Sequence, residues 1–353
     1  MKAIILVGGE GTRLRPLTYS TVKAMVPVLN KPFIEHVIRY LNKHDIHDIV
    51  LAMGYKPDSI MGYFGDAHGL GARLVYSMEE SPLGTAGAVK NAEKHIDDTF
   101  FVLNGDIFTD IDLTDMLKFH RQKKSKLTIA LTPVDDPTHF GVVETDADHR
   151  IIRFVEKPSK EEVTTNRINA GVYILEPEIL QRIPQATFCM FERQVFPALV
   201  AEDEPAFGYH TDAYWIDTGT PAKYLQLTRD LMYGKSCHIT FQSHCIEVHP
   251  RSTIHPGAKL NGPVLIDKDC DIGKGVHLKG PAVIGPGCTL EDGSIIENCI
   301  LWHNVKVGRG AILKDCIVAG DNHIENNSRI EGTAINNKAT TRRRLRNESR
   351  QSA

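Results

Sequence analysis

The sequence predicts a doubly wound α/β domain followed by a solenoid of short parallel strands. Up to about Tyr233, apolar runs alternate with stretches of helical periodicity, the pattern of βα units on a largely parallel sheet. Beyond about residue 250 the helical stripes stop and an aliphatic residue returns every six positions. A fixed short period of this kind marks a stacked repeat. The length, 353 residues, favours two domains.

The first run, "AIILV" from Ala3 to Val7, is apolar throughout, as a strand covered on both faces should be. "KPFIEHVIRYLNKHD" places Phe33, Ile34, Val37, Ile38 and Leu41 on one helical stripe. "DIVLAMG" is the next strand, "TAGAVKNAEKHI" a helix, "FFVLNGD" a strand, "LTDMLKFHRQ" a helix and "KLTIALTP" a strand. In such sheets ligands lie outside the carboxyl ends of the strands. Gly8-Gly9 and Asn104-Gly105-Asp106 fall at ends of this kind. Residues 1–235 are expected to form this domain.

In the second part Ile254, Leu260, Ile266, Ile272, Leu278, Ile284, Leu290 and Ile296 keep a six-residue step. The rhythm slips by one and resumes at Leu301, Val307 and Leu313, then slips again to Ile324 and Ile330. Ala258, Val264, Cys270, Val276, Ala282, Cys288 and Ser294 follow four positions after many of these. Hexads with an inward aliphatic residue resemble the left-handed parallel β-helix, in which three hexads make one coil. A run of antiparallel strands would not hold this register. The expected span is 250–335, with Cys270 and Cys288 as small interior groups. The last stretch, "NNKATTRRRLRNESRQSA" (336–353), is polar and basic and reads as a disordered tail.

Composition sets the broad class. Hydrophobic residues at 42% and charged residues at 24% are ordinary for a soluble globular chain. A formal net charge of -3 gives no basic field for nucleic acid or a membrane surface, and no apolar run is long enough to span a bilayer. The opening "MKAIILVGGEG" is too short an apolar stretch for a signal peptide, so a cytoplasmic protein is expected. Seven cysteines without a CxxC pair argue against a disulfide framework and a zinc site.

The stretch "LVGGEGTRLRPLTYSTVKAMVP", Leu6 to Pro27, then needs explaining. A glycine-rich loop between strand and helix exposes backbone N–H groups that bind phosphate oxygens. There is no G-x-x-x-x-G-K-[ST], and Gly9 and Gly11 lack the third glycine of the dinucleotide fingerprint. Arg13 and Lys23 add positive charge at the same mouth. That combination suits a nucleoside triphosphate and the charge that develops on its phosphorus. A tight turn with solvated charges is the plainer alternative.

"GGEGTRLRPLTYSTVK", "EESPLGTAGA", "VLNGD", "FGVV", "FVEKP", "NAGVYIL" and "YWIDTGTP" occur in this order. Together they resemble the sugar-1-phosphate nucleotidyltransferases. The likeness spans the α/β part, which it implies is a Rossmann-like nucleotidyltransferase domain, and continues into the hexads. The E-x-P-L-G-T-A-G stretch and the hexad domain point to the mannose-1-phosphate guanylyltransferase branch.

The resemblance implies Mg²⁺-dependent attack of a sugar 1-phosphate on the α-phosphorus of an NTP, with pyrophosphate leaving. GTP and mannose 1-phosphate, giving GDP-mannose, are the expected substrates. A thymidylyl- or uridylyltransferase acting on glucose 1-phosphate is the alternative, and a catalytically silent, nucleotide-sugar-binding regulator is the rival of another class. The implied nucleotide contacts are Leu6, Gly8, Gly9, Gly11, Thr12, Gly84 and Thr85, with Arg13 and Lys23 on the triphosphate. Asp106 and Asp217 are implied as metal ligands, since hard cations take oxygen donors. Lys157 would grip the sugar phosphate, with Gly141, Glu156 and Asn169 on the sugar. Each has a structural alternative: strand-end Asp106, helix-capping Asp217 and Thr85, an ion-paired Glu156–Lys157, an internally satisfied Asn169, and a strand-start Gly141. Pro158 biases Lys157 towards extended backbone. Glu79 and Glu80 are either acceptors for a guanine edge or two exposed carboxylates. The family pattern usually has proline before the loop lysine, whereas Val22 stands there, so a less rigid loop is expected. Some β-helices of this type are acyltransferases with a catalytic histidine, but His255, His277 and His303 are expected to face solvent. Stacked coils with apolar ends suggest a homo-oligomer.

Overall fold

The computed structural model describes residues 1–54, 57–65, 67–239, 241 and 245–336. Residues 337–353, nearly all of the predicted tail, lie outside them. Asn336, counted with the tail on sequence, is instead held: its Nδ2 donates to Pro16 O at 3.1 Å and to Ser20 Oγ at 3.2 Å.

Two compact units result, with limits different from the division at 235–250. One comprises Met1–Gly9 and Ile34–Asp217; the other comprises Glu10–Phe33 and the chain from Thr218 onward. The second unit is therefore discontinuous, and the middle of the glycine loop belongs to it.

The first unit is built on a nine-stranded sheet. Its strands are β1 (Lys2–Leu6), β2 (Asp48–Met53), β3 (Arg73–Met78), β4 (Phe100–Asn104), β6 (Leu127–Pro133), β7 (Gly141–Thr145), β8 (Ile151–Glu156), β9 (Arg167–Leu175) and β10 (Ala206–His210). The order is β8-β7-β9-β4-β1-β2-β3, with β6 paired to β9 and to β10. β1 pairs in parallel with both β2 and β4, which explains its unbroken apolar run: Ala3, Ile4 and Ile5 are fully buried. β9 runs antiparallel to β4, β6 and β7, so the sheet is mixed. A separate two-stranded ladder joins β5 (Ile107–Thr109) and β11 (Trp215–Asp217). The helices α1 (Phe33–Lys43), α2 (Asp58–Phe64), α3 (Gly84–Asn91), α4 (Leu113–Lys123) and α5 (Phe196–Ala201) complete the α/β pattern. The stripe read for α1 is its buried face, since Phe33, Ile34, Val37, Ile38 and Leu41 are all buried.

In the second unit, α6 (Pro221–Met232) precedes a three-sided solenoid of parallel sheets with six, five and five strands. This is the arrangement of a left-handed β-helix. In one column Ile266, Ile284, Leu301 and Val318 stack in register, all buried. Paired residues sit 18 apart in early coils, as in Arg251–Asp269, and 17 apart in later ones, as in Asn298–Asp315. Those shortened coils are the two slips in the sequence rhythm. They also recover Val318, an inward position missing from the hexads as read. Asp269, Asn298, Asn304, Asp315, Asp321 and Asn327 take positive φ in the connections between short strands, the role short polar side chains fill where glycine is absent. The buried column of small residues contains Cys299 and Cys316 as well as Cys270 and Cys288.

Candidate functional site

In the first unit the carboxyl ends of β1, β2 and β4 lie in register, with Leu6 opposite both Ala52 and Asn104. Leu6 O is occupied by Gly105 N at 2.9 Å, which ties the "LVGG" exit to the "LNGD" exit. The site of a Cβ on Gly9 is open, while on Gly8 it would lie 3.3 Å from Glu79 Oε1. Glu79 and Glu80 part company here. Glu80 is exposed, whereas Glu79 is half-buried and its Oε2 accepts from Leu83 N at 2.9 Å. Burial raises the Glu79 carboxyl above its ordinary value, although the Leu83 hydrogen bond opposes the shift.

The "PLGTAG" turn leads into α3 at Gly84. Ala86 N and Gly87 N both donate to Cys189 O at 3.0 Å, and Cys189 N returns to Leu83 O at 2.9 Å. Gly84 has φ +74, and a Cβ there would sit 2.6 Å from Cys189 O, so only glycine fits. Thr85 does not cap the helix. Its hydroxyl donates to Glu192 Oε2 at 2.8 Å and accepts from Phe191 N at 2.9 Å. Cys189 is buried, and burial pushes its thiol up.

Gly141 and Glu156 are cross-strand partners of β7 and β8. A Cβ on Gly141 would lie 2.7 Å from the Phe154 ring and 3.0 Å from Glu156 Oε2, so the glycine makes room for that carboxylate. Glu156 is half-buried, and its pKa is raised, first by burial and then by the charge of Glu192. Lys157 Nζ lies 3.7 Å from Glu156 Oε1. The extended backbone expected at Lys157 is not found: its φ is +53. Its N–H is drawn to Phe140 O at 2.9 Å, closing the β7–β8 ladder with a sharp turn. A left-handed, non-glycine residue before proline is strained by roughly 1–2 kcal/mol, and such strain gathers at working sites. Asn169 is internally engaged: Oδ1 accepts from Gly171 N and Nδ2 donates to Tyr173 OH, both at 2.9 Å. It shapes the irregularity in β9, between Asn169 and Tyr173.

Asp106 and Asp217 come from distant parts of the sequence, yet Asp217 faces Ile107 across the β5–β11 ladder. The two residues thus stand one step apart at one ladder end, and both are half-buried. The cap of α6 is Thr220, whose side chain accepts from Lys223 N, so Asp217 is not consumed as a helix cap. Two aspartates at one ladder end are the oxygen-donor type that a hard divalent cation such as Mg²⁺ takes.

The second unit carries Gly11, Thr12, Arg13 and Lys23. Gly11 has φ +63, and a Cβ there would lie 3.0 Å from both Lys23 Cβ and Thr18 Cγ2. Thr18 Oγ1 donates to Gly11 O at 2.8 Å. Thr12 and Arg13 begin a single tight turn, Thr12–Leu14, and Lys23 opens another, Lys23–Met25. Val22 is buried with φ −77, a value within proline's range, so the backbone keeps the proline-like course without the ring. Gly11→Ala is expected to strain the loop by about 1–2 kcal/mol and to raise the KM for nucleotide without changing the far-ultraviolet circular dichroism. Unchanged steady-state kinetics would remove Gly11 from the site.

The solenoid histidines lie at its surface. His255 and His303 are exposed, and His277 Nε2 is 2.7 Å from Asn261 Oδ1. Three further residues lie beside these: Asn104, read from sequence only as part of a strand end, and Tyr173 and Glu192, to which no role was given. Asn104 Oδ1 is buried and accepts no hydrogen bond among the described residues. The Tyr173 hydroxyl is held well above its ordinary pKa, by burial first. A polar residue inside an apolar run was the available signal for the first two.

The fold and this strand edge define an α/β protein with glycines and carboxylates gathered at the carboxyl ends of its strands. The chain belongs to the nucleotidyl transferase family, whose profile matches residues 2–233, and residues 260–344 match the GMPPB C-terminal domain. A mannose-1-phosphate guanylyltransferase of Mycobacterium tuberculosis is 40% identical over 84% of this chain and 82% of its own length. A UTP–glucose-1-phosphate uridylyltransferase of Synechocystis is 34% identical over 91% of this chain and 87% of its own. Among solved structures, HddC from Yersinia pseudotuberculosis complexed with GMP-PN superposes with a TM-score of 0.56 at 32% identity, over 64% of this chain and 96% of that one. No helix among the described residues is long and apolar enough to cross a membrane.

Proposed function

We propose that the protein transfers a guanylyl group from GTP to mannose 1-phosphate, releasing pyrophosphate and giving GDP-mannose. Its relatives' names divide between guanylyl and uridylyl transfer, so the base has to be argued from the site. The observation that carries the reading is Glu79. Guanine presents N1–H and N2–H side by side, two donors for one carboxylate. Uracil and thymine present a single N–H flanked by carbonyls, which a carboxylate repels. A half-buried acceptor at the end of β3, against Gly8, favours guanine, and a site built on such bonds rejects analogues strongly.

In this reading Gly8, Gly9 and Gly11 admit the triphosphate, and Arg13 and Lys23 neutralise it. Lys157 holds the incoming sugar phosphate, and Glu156 accepts from sugar hydroxyls. Asp106 and Asp217 would hold Mg²⁺. That ion, when bound, supplies charge stabilisation for the phosphate oxygens. The remaining catalysis is positioning. Equal concentrations of GTP, dTTP, UTP, CTP and ATP, with the sugar nucleotide identified by mass, test the base. GDP-mannose is expected, and predominant UDP- or dTDP-sugar would refute the guanylyl assignment. Glu79→Gln replaces one acceptor by a donor, so the preference for GTP over UTP is expected to fall by roughly 10²-fold.

A further inference from the structure

Glu192 lies outside every motif named above. It is 8% exposed and sits in the short turn Phe191–Val195 that leads into α5. Its Oε2 accepts a hydrogen bond from the Thr85 hydroxyl at 2.8 Å, and among the described residues it makes no ion pair. Keeping an ionisable carboxyl buried on one neutral donor is expensive unless it serves something further. The same segment fastens the nucleotide turn, through Phe191 N to Thr85 Oγ1 and through Cys189 O to Ala86 N and Gly87 N. The Glu192 charge also raises the Glu156 carboxyl and the Tyr173 hydroxyl, in each case after burial.

We propose that Glu192 is a positioning residue for the nucleotide, fixing the Thr85 hydroxyl at the Gly84–Thr85 turn. This rests on the nucleotidyl-transfer reading above. Without the Glu192 oxygen the Thr85 hydroxyl loses its acceptor and the Gly84–Thr85 turn loosens.

Pyrophosphate release by the full-length protein tests this, with Thr85→Ala, Glu192→Ala, their double variant, and Glu192→Gln. Each alanine change is expected to raise the KM for GTP on the order of ten-fold, and the double variant to be no worse than either single, because interacting neighbours are non-additive. Glu192→Gln keeps an oxygen for Thr85. It should hold the GTP KM within about two-fold. It also keeps the test open if Glu192→Ala fails to fold. Additive singles, or a GTP KM in Glu192→Gln as high as in Glu192→Ala, overturn the inference alone. A wild-type protein that releases no pyrophosphate with any nucleoside triphosphate overturns the functional reading and this inference with it.

Discussion

Asp106→Asn and Asp217→Asn are each expected to slow pyrophosphate release by at least on the order of 10³-fold at saturating Mg²⁺, about 4 kcal/mol of barrier. The substitution keeps the shape and removes the charge. The register brings the two residues close: Asp217 faces Ile107, the residue after Asp106. Losing either carboxylate leaves the other with half the negative charge for a divalent ion. Both are half-buried at the end of a short ladder, and the isosteric change keeps their packing, so circular dichroism should match wild type. A near-wild-type rate in either variant would show that these carboxylates do not seat the metal.

Ile284→Asp is expected to destabilise the second unit by more than about 4 kcal/mol, through a buried carboxylate with no partner. Ile284 is fully buried in the column with Ile266 and Leu301. Lys274, in the same solenoid, is exposed, and Lys274→Ala should stay within about 0.5 kcal/mol. Equal unfolding midpoints for the two variants would contradict the solenoid core. The effect should not stop at the coils. Asn30 Nδ2 donates to Ile284 O at 3.2 Å, and Glu10–Phe33 belongs to the same compact unit. Any soluble Ile284→Asp protein is therefore expected to bind nucleotide less tightly, although the substitution lies far along the chain from Arg13 and Lys23.

The parts of this molecule that repeat or alternate were legible in the sequence. Ile266, Ile272 and Ile284 announce their burial because a solenoid repeats one environment at a fixed step. Phe33 to Leu41 do so because a helix has a fixed period. Gly11 and Gly84 were marked by motif, and each proves to have a backbone conformation or neighbour that excludes a side chain. Other features depend on contacts that sequence distance conceals. Glu192 meets Thr85 at 107 positions' separation, and no local pattern sets it apart from a surface glutamate. Glu79 and Glu80 are neighbours of one chemistry, and only the strand direction at the end of β3 sends one inward. The conformation of Lys157 ran against the preference imposed by Pro158, because the hydrogen bond to Phe140 O decides the turn. The division of the chain at Gly9 was likewise hidden, since nothing within the loop reveals which later segment will pack on it.

That division bears on how the chain is made. The segment from Glu10 to Phe33 leaves the ribosome well before the residues that hold it. Tyr224 OH donates to Pro27 O, and Asn336 Nδ2 reaches Ser20 Oγ across 316 residues. At about 5–20 residues per second, roughly 15–60 seconds separate the synthesis of those two ends. Throughout that interval the cationic loop of a nascent chain waits unsupported by the coils that will complete its unit. A ribosome stalled within the solenoid would release a product whose sheet strands are all present but whose Arg13–Lys23 segment lacks its later contacts. Premature termination in the last coils should therefore be felt first as lost nucleotide affinity, with the sheet domain still folded.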